Sequence, residues 1–253
     1  MHYKMNAIIL SAGSARRLGN LTKELPKGLL EVNGKTIIQR QIDIYRKNGI
    51  KNIILIIGPH SNKYSLKNVL YIKDIEHEKH DVLGSLMKSS NQMKEGFIMS
   101  YADLVFEEKV IQDILSFEGD IGIGVDFDWV GNYKDRKLHP IEQADNVIVK
   151  EGKIQKIRKN ISNEKKDELL GEFIGIIKLS KNGSKILLDR YTELKNSHKG
   201  KFQNAESFEK AYLTDILQDL IELGHNIESI NINKIWQEID TLEDLIIARK
   251  KIK

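Results

Sequence analysis

A stretch near the start of the chain combines small residues with fixed positive charge. Residues 10–30 read LSAGSARRLGNLTKELPKGLL. The small residues Ala12, Gly13 and Ser14 let the backbone approach a ligand closely, so that its N–H groups can face phosphate oxygens. Arg17 and Lys27 add positive charge, in a spacing that is neither a Walker A motif nor GxGxxG. The stretch predicts a polyphosphate-binding loop; a solvated basic loop is the alternative.

Two acidic residues follow apolar runs in the way that metal ligands often do. Asp103 comes shortly after the apolar run that ends at Ser100, and Asp240 lies in the segment WQEIDTLED. Carboxylates beside phosphate oxygens can hold Mg²⁺. The alternatives are an ordinary turn residue at position 103 and, at position 240, an acid that favours a helix start beside the N-cap Thr241.

The elements that must position these residues alternate between strand and helix. The run NAIIL before the loop predicts a buried strand. Thr36 and Gln39 have the spacing of a capping box, which predicts a helix that Gly49 ends. Further strands are predicted over 52–57, 69–72, 96–100, 120–126, 147–149, 154–157 and 173–177, and further helices over 61–67, 107–116, 207–223 and 241–250.

This alternation predicts an α/β fold, a doubly wound sheet that is mixed and mainly parallel, Rossmann-like, with a small substrate-facing cap. Ligands of such sheets bind at the carboxyl ends of the strands, where the residue 10–30 loop hangs. We expect one domain over residues 1–253, with a ligand-binding half at 1–118 and an acceptor-facing half at 119–253.

Composition narrows the class of protein. The chain of 253 residues has 40 basic and 36 acidic residues, a mild and dispersed excess that does not favour a nucleic-acid partner. It has no cysteine, which excludes disulfides, thiolate metal sites and cysteine nucleophiles. With no long apolar run and no signal-peptide pattern, we expect no membrane association and a cytoplasmic location.

The loop resembles the signature of nucleotidyltransferases that activate sugar phosphates and small phosphorylated alcohols, L-x-A-G-x-G-x-R-L-x-P-L-T followed shortly by P-K. The matching residues are Leu10, Ala12, Gly13, Arg17, Leu18, Leu21, Thr22, Pro26 and Lys27. Ala15 stands where the second Gly is usual, and Asn20 where Pro is usual. The segment around Asp240 is similar to the family's W-x-(D/E)-I-D-T-x-(E/D)-D-L, and Asp103 lies where the family has a metal-binding Asp.

The resemblance implies roles for particular residues. Arg17 would hold the β- and γ-phosphates, Lys27 the α-phosphate and the acceptor phosphate. Asp103 and Asp240 would hold Mg²⁺, with Mn²⁺ possible. The residues implied for nucleotide binding are Leu10, Ala12, Gly13, Ser14, Gly84 and Ser85. Gly84 and Ser85 would contact the edge of the nucleobase; the alternative is that they are only the start of a helix. The residues expected to contact the acceptor are Lys159, Glu172, Arg136 and His139. The alternative for Arg136 and His139 is that their side chains are simply solvated.

The resemblance also implies the reaction. We expect transfer of a nucleotidyl group from an NTP, preferably CTP, to a small phosphate monoester, with release of pyrophosphate. The expected acceptor is phosphoglutamine, otherwise phosphocholine or 2-aminoethylphosphonate. The expected process is the modification of capsule or other cell-surface polysaccharide. A homodimer is possible. The alternatives are a sugar-1-phosphate uridylyl- or thymidylyltransferase and a non-catalytic nucleotide-binding regulatory subunit.

Overall fold

A central sheet organises the chain. The computed structural model describes residues 5–13, 16–134, 136–162, 165–233 and 235–252. Within that part, nine strands form one sheet in the order β5-β4-β1-β6-β11-β8-β12-β10-β9. The strands are β1 Asn6–Ser11, β2 Glu31–Val32, β3 Lys35–Thr36, β4 Ile53–Ile57, β5 Leu70–Lys73, β6 Phe97–Tyr101, β7 Leu104–Phe106, β8 Ile121–Asp126, β9 Asp145–Lys150, β10 Lys153–Lys159, β11 Leu169–Leu179, β12 Glu228–Asn231 and β13 Trp236–Glu238. The α-helices are α1 Ile37–Lys47, α2 Val82–Met87, α3 Ser90–Met93, α4 Glu108–Ser116, α5 Lys181–Ser197, α6 Leu213–Glu222 and α7 Leu242–Lys251.

The predicted fold class is confirmed, because helices cover both faces of a mixed sheet. β1 pairs in parallel with β4 and β6, and β5 continues the parallel part beside β4. β11 runs antiparallel to β6 and β8, so it joins the first half of the chain to the second. Parallel strands need crossover helices, which is why the early part alternates strand and helix.

The hydrophobic core forms two layers, one on each face of the sheet. Ile8 and Leu10 of β1 pack with residues of α5 and α6, whereas Ala7 and Ile9 pack with residues of α1 and α4. Successive side chains of a strand point to opposite faces, so a strand covered on both faces is apolar throughout. This explains why β1 and β4 read as unbroken apolar runs. Among the described helices, none combines the length and apolar character that crossing a bilayer requires.

Helix α1 begins where the sequence predicts, with half of the predicted capping box. The Thr36 side chain accepts a hydrogen bond from Gln39 N at 3.2 Å. The Gln39 side chain does not reach back, because it donates to Asp43 Oδ1 at 2.7 Å instead. Gly49, with a φ of 85°, follows the helix in the left-handed conformation that glycine favours.

The predicted helix over 207–223 is wrong at its beginning, since α6 starts only at Leu213. Asp81 N donates to Glu209 O at 3.1 Å, and Leu83 N donates to Ala211 O at 3.2 Å. These backbone hydrogen bonds to a distant segment hold residues 209–211 out of the helix. The predicted helix over 61–67 is likewise reduced to a 3-10 turn at Ser61–Lys63, and α5 was not anticipated.

A two-stranded sheet outside the central one positions the acidic residues. β7 pairs antiparallel with β13, with Leu104 opposite Glu238. The pairing extends by one more hydrogen bond, from Ile239 N to Asp103 O at 3.0 Å. Asp103 and Asp240 are therefore neighbours at the carboxyl end of β6, although the chain between them forms the whole second half of the fold.

Candidate active site

A cavity of about 750 Å³ opens at the carboxyl edge of the central sheet. Residues from the loop after β1, the ends of β6 and β10, the start of α2 and the β13–α7 junction line it. Ligands of open α/β sheets bind at this edge. The predicted loop residues Leu10, Ala12 and Gly13 line the cavity. Ser14 lies outside the described residues.

Lys27 lies at the centre of a cluster of charged side chains in this cavity. We call this cluster, which consists of Arg17, Lys27, Asp103, Glu238 and Asp240, the charged end. Its ammonium donates to Asp103 Oδ2 at 2.9 Å and to Asp240 Oδ1. Burial lowers the pKa of Lys27, but the charges of Asp103, Asp240 and Glu238 outweigh burial and raise that pKa above its usual value. Lys27 is therefore a permanent cation in the ligand-free protein, with acidic partners that an anionic ligand can replace.

Arg17 stands at the mouth of the charged end. Its guanidinium donates to Asp240 Oδ2 and to Gln143 Oε1, and half of its side chain is exposed. Asp240 thus accepts from two cations, whose charges lower its pKa although burial raises it. Arg17 and Lys27 come together with both predicted metal ligands, as the sequence predicts.

Asp244 fixes the backbone at Asp240. Its Oδ2 accepts from Asp240 N at 3.0 Å and from Thr241 N at 2.8 Å, as the N3 residue of a capping box on α7. Burial raises the pKa of Asp244, but hydrogen bonds from His139 and Arg136 outweigh burial and lower that pKa well below its ordinary value. A charged, fully buried carboxylate thereby holds the backbone at Asp240 and Thr241 in place.

The charged end can accommodate a divalent cation. Asp103 Oδ1 is buried and has no hydrogen-bond partner among the described residues. His139, Glu238 and Asp240 each offer one ligand atom, and these atoms lie within 4.8 Å of one another. Oxygen-rich sets of this kind suit Mg²⁺ or Mn²⁺, so the donors fit the predicted ion.

Glu238 is a site residue that the sequence prediction missed. Burial raises its pKa, and the nearby charges of Asp240 and Asp103 raise it further. The signal that identifies it is its spacing, because residues two apart in an extended segment point to the same side. Glu238 therefore faces the cavity beside Asp240.

Helix α2 and the segment before it line another part of the cavity, here called the α2 side. Ser85, within helix α2, lines it together with His77 and His80. Ser85 is helical and also faces the cavity, and its contact with a nucleobase stays a prediction. Gly84 does not line the cavity; a Cβ there would lie 2.5 Å from the His80 ring, so glycine leaves room for that ring.

The acceptor candidates divide between the two cavities. Lys159 lines both the large cavity and a neighbouring one of about 70 Å³, which Glu172 and His139 also line. The Tyr133 hydroxyl donates to Glu172 Oε1, while Glu172 Oε2 is buried without a partner in the described part of the chain. Burial raises the pKa of Glu172 to about 8.

Arg136 requires a correction. Its side chain is 1% exposed and lines neither cavity, and its Nε donates to Asp244 Oδ1 at 2.7 Å. The solvated alternative is wrong because the guanidinium is buried, and a direct contact with an acceptor would require this ion pair to break. Arg136 supports Asp244 instead.

Comparisons with known proteins show what this chain is similar to. The model of the MobA-like NTP transferase domain matches residues 7–140. The CTP:phosphoglutamine cytidylyltransferase of Campylobacter jejuni is 32% identical, over 98% of this chain and all of that protein. The bifunctional protein GlmU of Methanococcus maripaludis is 28% identical over 96% of the chain, which spans about half (53%) of that relative's length.

Solved structures share the fold. The inositol-1-phosphate CTP transferase of T. maritima superposes with a TM-score of 0.72 at 21% identity, covering all of this chain and 98% of that one. The CTP:phosphocholine cytidylyltransferase of Streptococcus pneumoniae superposes with a TM-score of 0.74 at 18% identity, covering 99% of this chain and all of that one.

Proposed function

The chain belongs to the MobA-like NTP transferase family and is a nucleotidyltransferase, and from that premise we propose that it transfers CMP from CTP to a small phosphate monoester. The proposed acceptor is phosphoglutamine, and pyrophosphate is the second product. The observation that carries the reaction is the convergence of Lys27 with Asp103 and Asp240 at the charged end of the cavity. Support for CTP and for phosphoglutamine comes from the full-length similarity to the Campylobacter jejuni enzyme.

The chemistry is an in-line displacement. An oxygen of the acceptor phosphate forms a bond to the α-phosphorus, and the bond from that phosphorus to the bridging oxygen of pyrophosphate breaks. A phosphate monoester is largely a dianion at neutral pH, because its second pKa is about 6. The acceptor therefore needs no general base, and the protein contributes positioning and charge neutralisation.

Different residues of the charged end bind different parts of the two reactants. Lys27 exchanges its carboxylate partners for oxygens of the α-phosphate and the acceptor, and stabilises the charge that shifts between them. Arg17, at the mouth, holds the departing β- and γ-phosphates. Asp103 and Asp240 would hold Mg²⁺ or Mn²⁺, which neutralises phosphate charge and orients the two reactants.

The smaller cavity suits a zwitterionic acceptor. Lys159 offers a cation for a phosphate, and Glu172 offers the unpartnered Oε2 to an ammonium group. An ammonium beside Glu172 would offset the burial that raises the pKa of this carboxyl, because an opposite charge favours the ionised form. Phosphoglutamine carries both groups.

A screen of pyrophosphate release tests the proposal. CTP, UTP, ATP, GTP and dTTP are tested separately, each with phosphoglutamine, phosphocholine, 2-aminoethylphosphonate or a sugar 1-phosphate. We expect the highest kcat/KM with CTP and phosphoglutamine. A clear preference for UTP or dTTP with a sugar 1-phosphate would overturn it in favour of the activity that the more distant relatives suggest. Nucleotide binding without any turnover would indicate the regulatory alternative.

A further inference from the structure

Asp74 is a buried carboxylate behind the α2 side of the cavity. It directly follows β5 and is 2% exposed. Its backbone N donates to Ile57 O at 2.8 Å, so the end of β4 holds it in place. It does not line the cavity itself, whereas two of its neighbours, Ser85 and His80, do. Asp74 can therefore affect a ligand only through these neighbours.

The hydrogen bond between Ser85 and Asp74 fixes the polarity of the Ser85 hydroxyl. Ser85 Oγ donates to Asp74 Oδ2 at 2.7 Å in a buried environment. A hydroxyl has one proton and two acceptor lone pairs, and an ionised carboxylate only accepts. The proton of Ser85 is thus committed to Asp74, and toward the cavity this hydroxyl can only accept.

A second observation shows that the α2 side of the cavity suits a polar ligand. His77 Nδ1 is buried and has no hydrogen-bond partner among the described residues, and His77 lines the cavity beside Ser85. His80 Nε2 lies 3.2 Å from Asp74 Oδ1, so the same carboxylate also faces the second imidazole. Buried polar groups of proteins are normally satisfied, which makes an unpartnered nitrogen here a sign of a missing ligand atom.

We propose that Asp74 is a positioning residue for nucleotide selection, which orients Ser85 as an acceptor and so favours a pyrimidine with an exocyclic amino group over one with a keto oxygen. This inference rests on the proposed use of CTP and on the proposed position of the nucleobase at Ser85. Cytosine presents an amino donor at position 4, and uracil presents an acceptor oxygen at the same position. Two acceptors facing each other leave a buried polar group unpaired, which is a strong basis for discrimination.

The test is the ratio of kcat/KM for CTP to kcat/KM for UTP, in wild type and two variants. In Asp74→Asn, the new amide can donate to Ser85 Oγ and free the serine proton for a keto oxygen. We expect the ratio to fall about tenfold or more, because one well-formed hydrogen bond to CTP is lost. We also expect kcat/KM for UTP itself to increase. Ser85→Ala removes the acceptor, and its ratio falls in the same direction without any gain for UTP.

A matched control comes from the other end of the sheet. Ser180 Oγ donates to Asp120 Oδ1 in an exposed pair at the start of α5. Asp120→Asn makes the same chemical change as Asp74→Asn, and we expect it to leave the CTP-to-UTP ratio unchanged. Thermal melting of each variant identifies any that fails to fold, and Ser85→Ala then carries the test alone.

The outcomes separate the two proposals. If wild type prefers CTP while both variants keep its ratio, or lose CTP and UTP activity equally, the role of Asp74 is wrong and the proposed reaction stands. If wild type uses UTP as well as CTP, the proposed nucleotide preference fails first and the inference falls with it. A ratio that falls in both variants and not in Asp120→Asn supports the role of Asp74.

Discussion

Lys27 Nζ donates a hydrogen bond to Asp103 Oδ2 at 2.9 Å, although the two residues are 76 positions apart in the chain. The same ammonium donates to Asp240, so one cation joins the two carboxylates that follow β6 and β13. In this ligand-free arrangement the charges of the site neutralise one another. In the proposed reaction, the phosphates of a nucleotide would replace the carboxylates as partners of Lys27.

Replacing Asp103 or Asp240 by Asn tests the metal assignment. We expect kcat to fall about 100-fold or more in each variant, because an amide oxygen is a weaker ligand for a hard cation than a carboxylate. Circular dichroism should show an intact fold. Asp113→Asn, which changes a partly buried carboxylate in α4 that pairs with Lys109, is the control and should keep full activity. Near-normal turnover of both site variants in saturating Mg²⁺ would contradict the assignment.

Removing the metal should abolish activity reversibly. Lys27 pairs with both Asp103 and Asp240, so removal of an ion leaves each carboxylate with a cationic partner. We expect EDTA to stop pyrophosphate release and added Mg²⁺ or Mn²⁺ to restore it, with little change in the melting temperature. Loss of the folded state in EDTA would show a structural metal instead.

The loop cations should differ in their kinetic effects. Lys27→Ala should lower kcat by about 100-fold or more while changing the KM for CTP less, because its partner charge develops at the reacting phosphorus. Arg17→Ala should raise the KM for CTP as well, since the β- and γ-phosphates are bound before reaction. Arg16→Ala is the control that tests whether Arg17, and not its neighbour, is the functional arginine of the loop. A larger defect in Arg16→Ala than in Arg17→Ala would place the functional arginine one residue earlier.

Arg136→Ala should affect stability and not acceptor choice. Breaking this fully buried ion pair removes the arginine cation from Asp244, at a cost of about 3–5 kcal/mol in the free energy of unfolding. Urea denaturation measures this cost. Lys181→Ala, which breaks the exposed pair with Glu95, is the control and should change stability by about 0.5 kcal/mol or less. A stable Arg136→Ala variant with an altered acceptor preference would restore the direct-contact role.

The pH dependence of stability should report the buried carboxyl of Glu172. Burial raises its pKa to about 8 from an ordinary value of 4.5, although the hydrogen bond from Tyr133 opposes the shift. Between pH 4.5 and pH 8 the folded state keeps a proton that the unfolded state has lost, so this group makes unfolding easier as pH rises. The free energy of unfolding of wild type minus that of Glu172→Gln should therefore fall from pH 5 to pH 8.

A difference that stays constant over this range would contradict the raised pKa of Glu172. Glu206→Gln, which removes an exposed carboxylate, controls for the loss of one charge. Both variants are measured in urea without nucleotide or metal, so that binding does not add to the free energy of unfolding.

Local pattern predicted much of the fold. The apolar run of β1, the Thr36 cap and the left-handed Gly49 depend on neighbouring residues only, and the structure contains each of them. The start of α6 depends on backbone hydrogen bonds between residues 81–83 and 209–211, which no local pattern reveals. For the same reason the sequence did not predict the burial of Arg136, whose partner Asp244 lies 108 positions away.

The candidate site divides in the same way. The resemblance of two motifs located Lys27, Asp103 and Asp240, which the structure brings into contact. Their catalytic and metal-binding roles stay predictions. Glu238 was missed although its spacing from Asp240 was a signal, whereas the hydrogen bond between Asp74 and the Ser85 hydroxyl joins residues that no local pattern connects.

The central claim is transfer of CMP to an acceptor phosphate, and ³¹P NMR of the reaction mixture tests it most directly. Purified protein is mixed with CTP, Mg²⁺ and phosphoglutamine, with Lys27→Ala as the matched inactive control. We predict that the signals of CTP and phosphoglutamine decline together while the signals of a CMP-linked diphosphate product and of pyrophosphate appear in equal amounts. Release of inorganic phosphate in place of pyrophosphate, or no CMP-linked product from CTP with any acceptor tested, would contradict the account.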